Sequence, residues 1–198
     1  MFDQIKLGRE FFAALVRADE EMVRQVAAGG CGACGGRLHR GDYARKPRGA
    51  LIAPSGEGDV IRFSLCCDRE GCRKRTTPPS LRFLGRRVYL GAVVIVASML
   101  ARVTVRAEIR RVTGVPARTT RRWLGWWSGP FISTAVFVVV QARLIGVAVD
   151  ELPASIVLQL CGSPPEKVRA MLELLSPLTT GQGGGRVTFS EGRPRRAP

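Results

Sequence analysis

Apolar residues recur at helical spacing from residue 8 to 28, where Phe11, Phe12, Leu15, Val16, Met22, Val23 and Val26 gather along one stripe. Gly29-Gly30 ends this predicted helix and delivers the chain to Cys31. From 31 to about 80 the pattern changes to short β-like runs between turn residues. There "ALIAP" and "VIRFSL" flank Ser55-Gly56-Glu57-Gly58-Asp59 as arms of a hairpin or wider loop, and Pro78-Pro79 closes the segment. Helical patterns return from about 81 to 127, and an apolar stretch follows to about 148. Pro153, Pro164 and Pro165 bracket two short helices, "ASIVLQLCG" and "PEKVRAMLELLS", and Leu172, Leu174, Leu175 and Leu178 predict a docked terminal helix. The last twenty residues, "TTGQGGGRVTFSEGRPRRAP", are Gly-, Pro- and Arg-rich and read as a disordered tail.

The elements add up to an α+β fold, mainly α. An N-terminal helix (1–30) precedes a small β segment (31–80), a pair of helices (81–128), a C-terminal helical unit (129–178) and the tail (179–198). Residues 123 to 142 hold no charge over 20 positions, about the length that spans a bilayer. Ser128-Gly129-Pro130 interrupts them, because proline lacks an amide and clashes with the preceding turn. Residues 88 to 101 are too short to cross. Both stretches are therefore expected to be core, and no membrane segment is expected. The first thirty residues mix acids and bases and hold no apolar signal core, so a reducing cytoplasm is the expected compartment.

Charge narrows the choice of partner. With 31 basic against 16 acidic residues the net charge is +15. Such an excess repels itself in a compact chain and suits a polyanionic partner, nucleic acid first and an anionic membrane surface second. Arginine dominates over Lys6, Lys46, Lys74 and Lys167. Its planar fork suits phosphates and guanine edges, although a GC-rich genome would enrich arginine just as well.

Five of the six cysteines fall in "CGACGGRLHR" (31–40) and "LCCDREGCRKR" (65–75). Cys31 and Cys34 form C-x-x-C, with Gly32 between them and Gly35-Gly36 after, a knuckle able to aim two thiolates at one point. The second pair comes from Cys66, Cys67 and Cys72. Alternation along a strand over 60–67 puts Phe63, Leu65 and Cys67 on one face and Cys66 on the other, which favours Cys67 and Cys72 with Cys66 as substitute. His39 stands in a basic run and reads as surface. Buried free thiols are the competing reading. The tight C-x-x-C, its glycines and the segment's scarce apolar content favour a structural zinc ion, a staple that a core so small requires. Four thiolates leave no open position for a catalytic water.

Basic residues surround both clusters: Arg37, Arg40, Arg45, Lys46 and Arg48 after the first, Arg69, Arg73, Lys74 and Arg75 at the second. They read either as a solvated face or as a ribbon gripping phosphates, with Tyr43 and Phe83 interleaved. A second constellation lies in "ARVTVRAEIRRVTGVPARTTRRWLGWW", residues 101 to 127. A helix from about Thr104 to Val112 turns Val105, Ile109 and Val112 inward, Gly114 supplies the turn, and Val115 plugs the core. A second helix from about Pro116 buries Thr120, Trp123, Leu124 and Trp127 and presents Ala117, Arg118, Arg121, Arg122 and Gly125 outward. That is the pattern of a helix-turn-helix whose second helix reads the major groove through arginine. Seven arginines face one acid, Glu108, between 102 and 122, whereas a salt-bridged surface mixes signs.

Together "CGACGGRLHRGDYARKPRG", "FSLCCDREGCRKRTTPPSLRFLGRRVYLG" and "GVPARTTRRWLGWW" resemble small bacterial proteins in which a zinc ribbon precedes a helix-turn-helix. The layout is also similar to the N-terminal DNA-binding part of insertion-sequence transposases. The resemblance implies Cys31, Cys34, Cys67 and Cys72 as zinc ligands and Arg118, Arg121 and Arg122 as DNA-facing residues; from the basic ribbon, Arg45, Lys46, Arg48, Arg73, Lys74 and Arg75 are expected on phosphates. The chain departs from a transposase after residue 130, where Asp150, Glu151, Glu166, Glu173 and Glu191 come in too little sequence for a catalytic carboxylate domain. The expectation is a non-enzymatic, zinc-dependent duplex-DNA-binding protein of the nucleoid. It would serve as an accessory or regulator of a mobile element, with a transposase as a potential partner and dimers allowed. An RNA- or ribosome-associated zinc ribbon is the alternative, and a membrane-surface protein a further one.

Overall fold

The computed structural model describes residues 7–49, 60–84 and 89–180. The expected strand over 50–54, its turn at 55–59 and the tail from 181 onward lie outside them. The fold is α+β and mainly helical, with seven α-helices and five short strands among the described residues.

Helix α1 (Arg9–Ala28) is one amphipathic rod of 20 residues, about 30 Å long. That length lets it serve two cores. Phe12 and Leu15 enter the large helical core, whereas Val23 packs with Cys31, Leu38, Phe63, Leu65 and Cys67 in a smaller cluster. Between them the fully buried Asp19 accepts hydrogen bonds from Ser80 Oγ (2.6 Å), the Leu81 amide (2.6 Å) and Arg82 Nε (2.9 Å). The chain that leaves the β segment is thus fastened to the helix that precedes it.

Strands β1 (Leu38–Arg40), β2 (Tyr43–Ala44), β3 (Ile61–Arg62), β4 (Leu65–Cys67) and β5 (Arg75–Thr76) form two small sheets. One is three-stranded and antiparallel, ordered β1-β4-β5 with Leu38 opposite Cys67 and Leu65 opposite Thr76; the other pairs β2 with β3. The strand expected over 60–67 is broken at Phe63-Ser64. Ser64 Oγ donates to the Gly41 carbonyl (2.7 Å), and the Ser64 amide donates to Asp42 Oδ1 (2.9 Å). Those bonds carry the chain from one sheet to the other.

Helix α2 (Gly91–Leu100) is apolar all round and buried at every position, as a central core helix must be. It packs against α3 (Arg106–Thr113), α4 (Ala117–Ser128) and α7 (Pro164–Leu175). Its one hydroxyl, Ser98 Oγ, donates to the Val94 carbonyl and accepts from Trp127 Nε1 at 3.0 Å. Helix α3 ends at Gly114, whose φ of +67° closes the turn into α4, and Val115 is fully buried beneath it. Ile109, Thr113, Thr120, Trp123, Trp126 and Trp127 are buried. Val105, expected inward, is instead 70% exposed, because it caps the helix from outside its first turn.

The uncharged stretch 123–142 is bent. A 3-10 turn, Pro130–Ser133, separates α4 from α5 (Ala135–Arg143), and the two run at 85°. Among the described residues no single helix is long and apolar enough to cross a membrane. Trp126, Trp127, Phe131 and Phe137 form a chain of ring contacts inside the bend. Helix α5 is only half buried: Phe137 and Val140 face in, whereas Val138 and Val139 do not. The short α6 (Ala154–Val157) leads to α7, which opens with a Ser163–Glu166 capping box. Order extends past the expected boundary at 178, because Thr179 is buried and its Oγ1 accepts from the Ser80 amide at 2.8 Å.

Candidate metal centre and basic surface

Helix α1 delivers Cys31 into a tight loop. The Cys31 amide donates to the Gly36 carbonyl (2.8 Å), and the amides of Cys34 and Gly35 donate to the Cys31 carbonyl (3.2 and 2.7 Å). Strand β4 supplies Cys67, and the turn before β5 supplies Cys72, whose amide donates to the Arg69 carbonyl at 3.1 Å. The two loops are tied together: the Asp68 amide donates to the Arg37 carbonyl (3.0 Å), and Arg69 Nη1 donates to the Cys34 carbonyl (2.9 Å).

The four sulfurs converge. Cys31 and Cys72 lie 3.8 Å apart, Cys34 and Cys67 3.5 Å, and all four Sγ atoms fall within 4.8 Å of one another. Ligands about 2.3 Å from a tetrahedral ion stand about 3.8 Å from each other, so the spacing fits a metal, whereas a disulfide requires about 2.05 Å. The cradle is also shaped for sulfur. A Cβ placed on Gly36 would come within 3.0 Å of Cys67 Sγ and 3.3 Å of Cys34 Sγ, so a larger residue here would push two of the sulfurs aside. Gly36→Ala is therefore expected to lower metal affinity on the order of tenfold, read by competition with a chromophoric chelator, with little change in the helical core.

The thiols differ in acidity. The Ala33 backbone amide draws Cys31 down to about 7, whereas burial pushes Cys67 up to about 12. At Cys72 the Lys74 amide pulls downward, but the neighbouring Cys34 thiol and burial outweigh it and leave the group raised. Four thiolates would not gather here unaided; a metal cation held by these sulfurs would offset their charge. Metal capture at these sulfurs would release protons, so the expected affinity falls as pH falls.

Cys66 does not join the cluster. It is half-buried and its Sγ points to the Arg73 carbonyl at 3.5 Å, as the strand alternation predicts. His39 is on the surface, with Nε2 3.1 Å from Asp68 Oδ2.

The basic residues divide into two groups. In the β segment Lys46, Arg48, Arg73, Lys74 and Arg75 are exposed and Arg45 half-buried. Arg75 is held by the Gly41 carbonyl and Ser64 Oγ and lies 5.7 Å from the centroid of Tyr43, whose other guanidinium neighbour, Arg45, is at 6.0 Å. On α4 Arg118, Arg121, Arg122 and Gly125 are exposed, as expected from the periodicity, whereas Ala117, also expected outward, and Leu124, expected inward, are both half-buried. Among the described residues no acid pairs with any of these three arginines, whereas Arg111 on α3 is taken by Glu108. Arg106 and Arg110, one turn apart on α3, are also exposed; helical spacing makes them neighbours in the sequence, but nothing there singles them out from the other arginines.

The two groups are neighbours. Arg48 bridges backbone to backbone with Tyr89, and the Tyr89 ring packs edge-on against Trp123 of α4 at 5.1 Å. Gly49 lies against Val93 and the Thr113 carbonyl at the end of α3. The irregular segment bearing Lys46 and Arg48, past β2, therefore runs beside the helical pair. No family model, curated protein or solved structure matches this chain.

Proposed function

We propose that the chain is a non-enzymatic, zinc-dependent duplex-DNA-binding protein. In this reading the cysteine-bearing β segment is a zinc ribbon, and α3 and α4 are a helix-turn-helix. The observation that carries it is the face of α4: three exposed arginines without an acid partner among the described residues, on a helix set by a left-handed glycine turn, beside the segment that bears Lys46 and Arg48. Four thiolates at tetrahedral spacing suit zinc, and they would close its coordination sphere, so its role is to hold the ribbon. Arg118, Arg121 and Arg122 then meet base edges in the major groove, and Arg45, Lys46, Arg48, Arg73, Lys74 and Arg75 meet phosphates. A cytoplasmic, nucleoid-associated role in mobile-element regulation, with a transposase as partner, rests on the resemblance of the sequence and not on the geometry.

The test separates the two groups. Replacing Arg121 and Arg122 by Ala is expected to relax base preference, at about 1–3 kcal/mol for each bidentate arginine–guanine pair removed. Replacing Lys46 is expected to weaken all duplexes alike and to shrink the salt slope by about one. Fluorescence anisotropy on matched and scrambled duplexes across a salt series reads both, and identical losses from the two sets would reject the groove assignment.

One observation favours a second reading, an RNA- or ribosome-associated ribbon. Tyr43 is 37% exposed between two guanidiniums, an arrangement that suits stacking on an unpaired base. Preference for single-stranded or folded RNA over duplex would choose it.

A further inference from the structure

Where the β segment is fastened to α1, the interior holds more positive charge than negative. Arg62 on β3 and Arg82 are each 1% exposed, and the fully buried Asp19 is the one carboxylate among the described residues that faces them. Its oxygens already accept from Ser80 Oγ, the Leu81 amide and Arg82 Nε. Arg45, half-buried beside Tyr43, adds a further guanidinium to the surroundings of Arg62. Arg62 itself uses one arm of its fork. Nη2 donates to the Pro78 carbonyl at 2.7 Å, whereas Nη1 is buried without a hydrogen-bond partner among the described residues.

A buried donor left unmade loses its hydration with nothing in return, and a buried charge without a counter-charge loses more. A lysine in this place would escape by giving up its proton, but a guanidinium keeps its proton at any pH the fold tolerates. A water molecule would satisfy Nη1 and leave the excess charge where it is. A monovalent anion does both. A divalent one would overshoot, exchanging an excess of positive charge for an excess of negative.

We propose that Arg62 Nη1 donates to a bound inorganic anion of the halide class, buried where β3 meets the segment Pro78 to Arg82. Pro78 accepts from Arg62, and Ser80, Leu81 and Arg82 surround Asp19 of α1. The ion therefore joins three parts of the chain at one point and gives the β segment an ionic tie independent of its cysteines. Exposed arginines gather anions as well, but there solvent and salt screen the attraction. Only the buried ion contributes to stability in a way that depends on its size.

Thermal melts of the full chain in sodium chloride and in sodium isethionate, at equal ionic strength, are the first test; isethionate is too large for a buried halide site. With chloride about tenfold above its Kd, the native chain is expected to melt about 3 °C higher in chloride. Bromide should act as chloride does. Arg62→Met, which removes the donor and the charge together, should melt at one temperature in both salts. Arg121→Ala, on the exposed face of α4, should keep the native difference. Equal melts of the native chain in the two salts, a chloride effect that survives in Arg62→Met, or its loss in Arg121→Ala would overturn the site. A second measurement needs no variant to fold. A crystal of the native chain grown in sodium bromide should give an anomalous peak within hydrogen-bond reach of Arg62 Nη1. A water, a carboxylate of the chain itself or nothing at that nitrogen would overturn the proposal, whatever bromide is found at surface arginines. No nucleic acid enters these measurements, so their failure leaves the duplex reading untouched.

Discussion

Removing the metal, by chelation or by Cys67→Ser, is expected to unfold the β segment while most of the helical core survives. Among the described residues the small cluster holds only Val23, Cys31, Leu38, Phe63, Leu65 and Cys67 as buried apolar members, and two of these six are proposed ligands. Strands of two and three residues add few ladder bonds. A core of that size does not offset the entropy of ordering its loops, whereas structural zinc contributes about 10 kcal/mol or more of coupled folding energy. The loss should stop at a definite place. Helix α1 has Val23 in the small cluster and Phe12 and Leu15 in the large one, so its C-terminal half should fray and its N-terminal half hold. Hydrogen exchange after chelation should show β1, β4, β5 and the last two turns of α1 unprotected, with α2 and α7 protected as before. A metal-free chain with unchanged protection in the β segment would reject the site.

The second large effect is expected at Asp19. Its carboxylate is buried with Arg82, each about 1% exposed, and it also faces Arg62, a guanidinium itself 1% exposed that donates Nη2 to the Pro78 carbonyl. Burial pulls the Arg62 guanidinium down, and Asp19 opposes this. Asp19→Asn keeps the shape of the side chain but leaves two guanidiniums in the interior without a counter-charge. Breaking a buried pair in this way costs about 3–5 kcal/mol, a drop in Tm on the order of 10 °C for a chain of this size. Because Ser80 Oγ and the Leu81 amide share the same carboxylate, the β segment and helical core should also melt less cooperatively. A melt within about 1 °C of the native chain would contradict the clamp.

Much of the candidate site is legible in the sequence because short-range pattern decides it. Cys31 and Cys34 are joined by a local loop, and strand alternation alone separates Cys67 from Cys66. The Arg118, Arg121, Arg122 face follows from helical period once Trp123 and Trp127 are taken as core, and the structure sets them so. What the pattern does not reveal depends on distant parts of the chain. Nothing near Asp19 in sequence marks it as buried; its partners lie some sixty residues away. A strand reading of 60–67 has no means of seeing the switch at Ser64, which needs Gly41 and Asp42 from another turn. Val105 has an apolar side chain at a helical phase, yet the helix starts one residue later and leaves it outside. Helix α5 reads as wholly core in the sequence, because apolar content does not say how many faces find a partner.

The most direct test of the central claim is selection of bound duplexes from a random DNA pool by the metal-loaded chain, run beside a random RNA pool and repeated after chelation. Duplexes enriched for a common motif, competing over RNA and heparin and released when the metal is removed, are the expected result. Equal retention of duplex, RNA and heparin, unaffected by chelation, would contradict it.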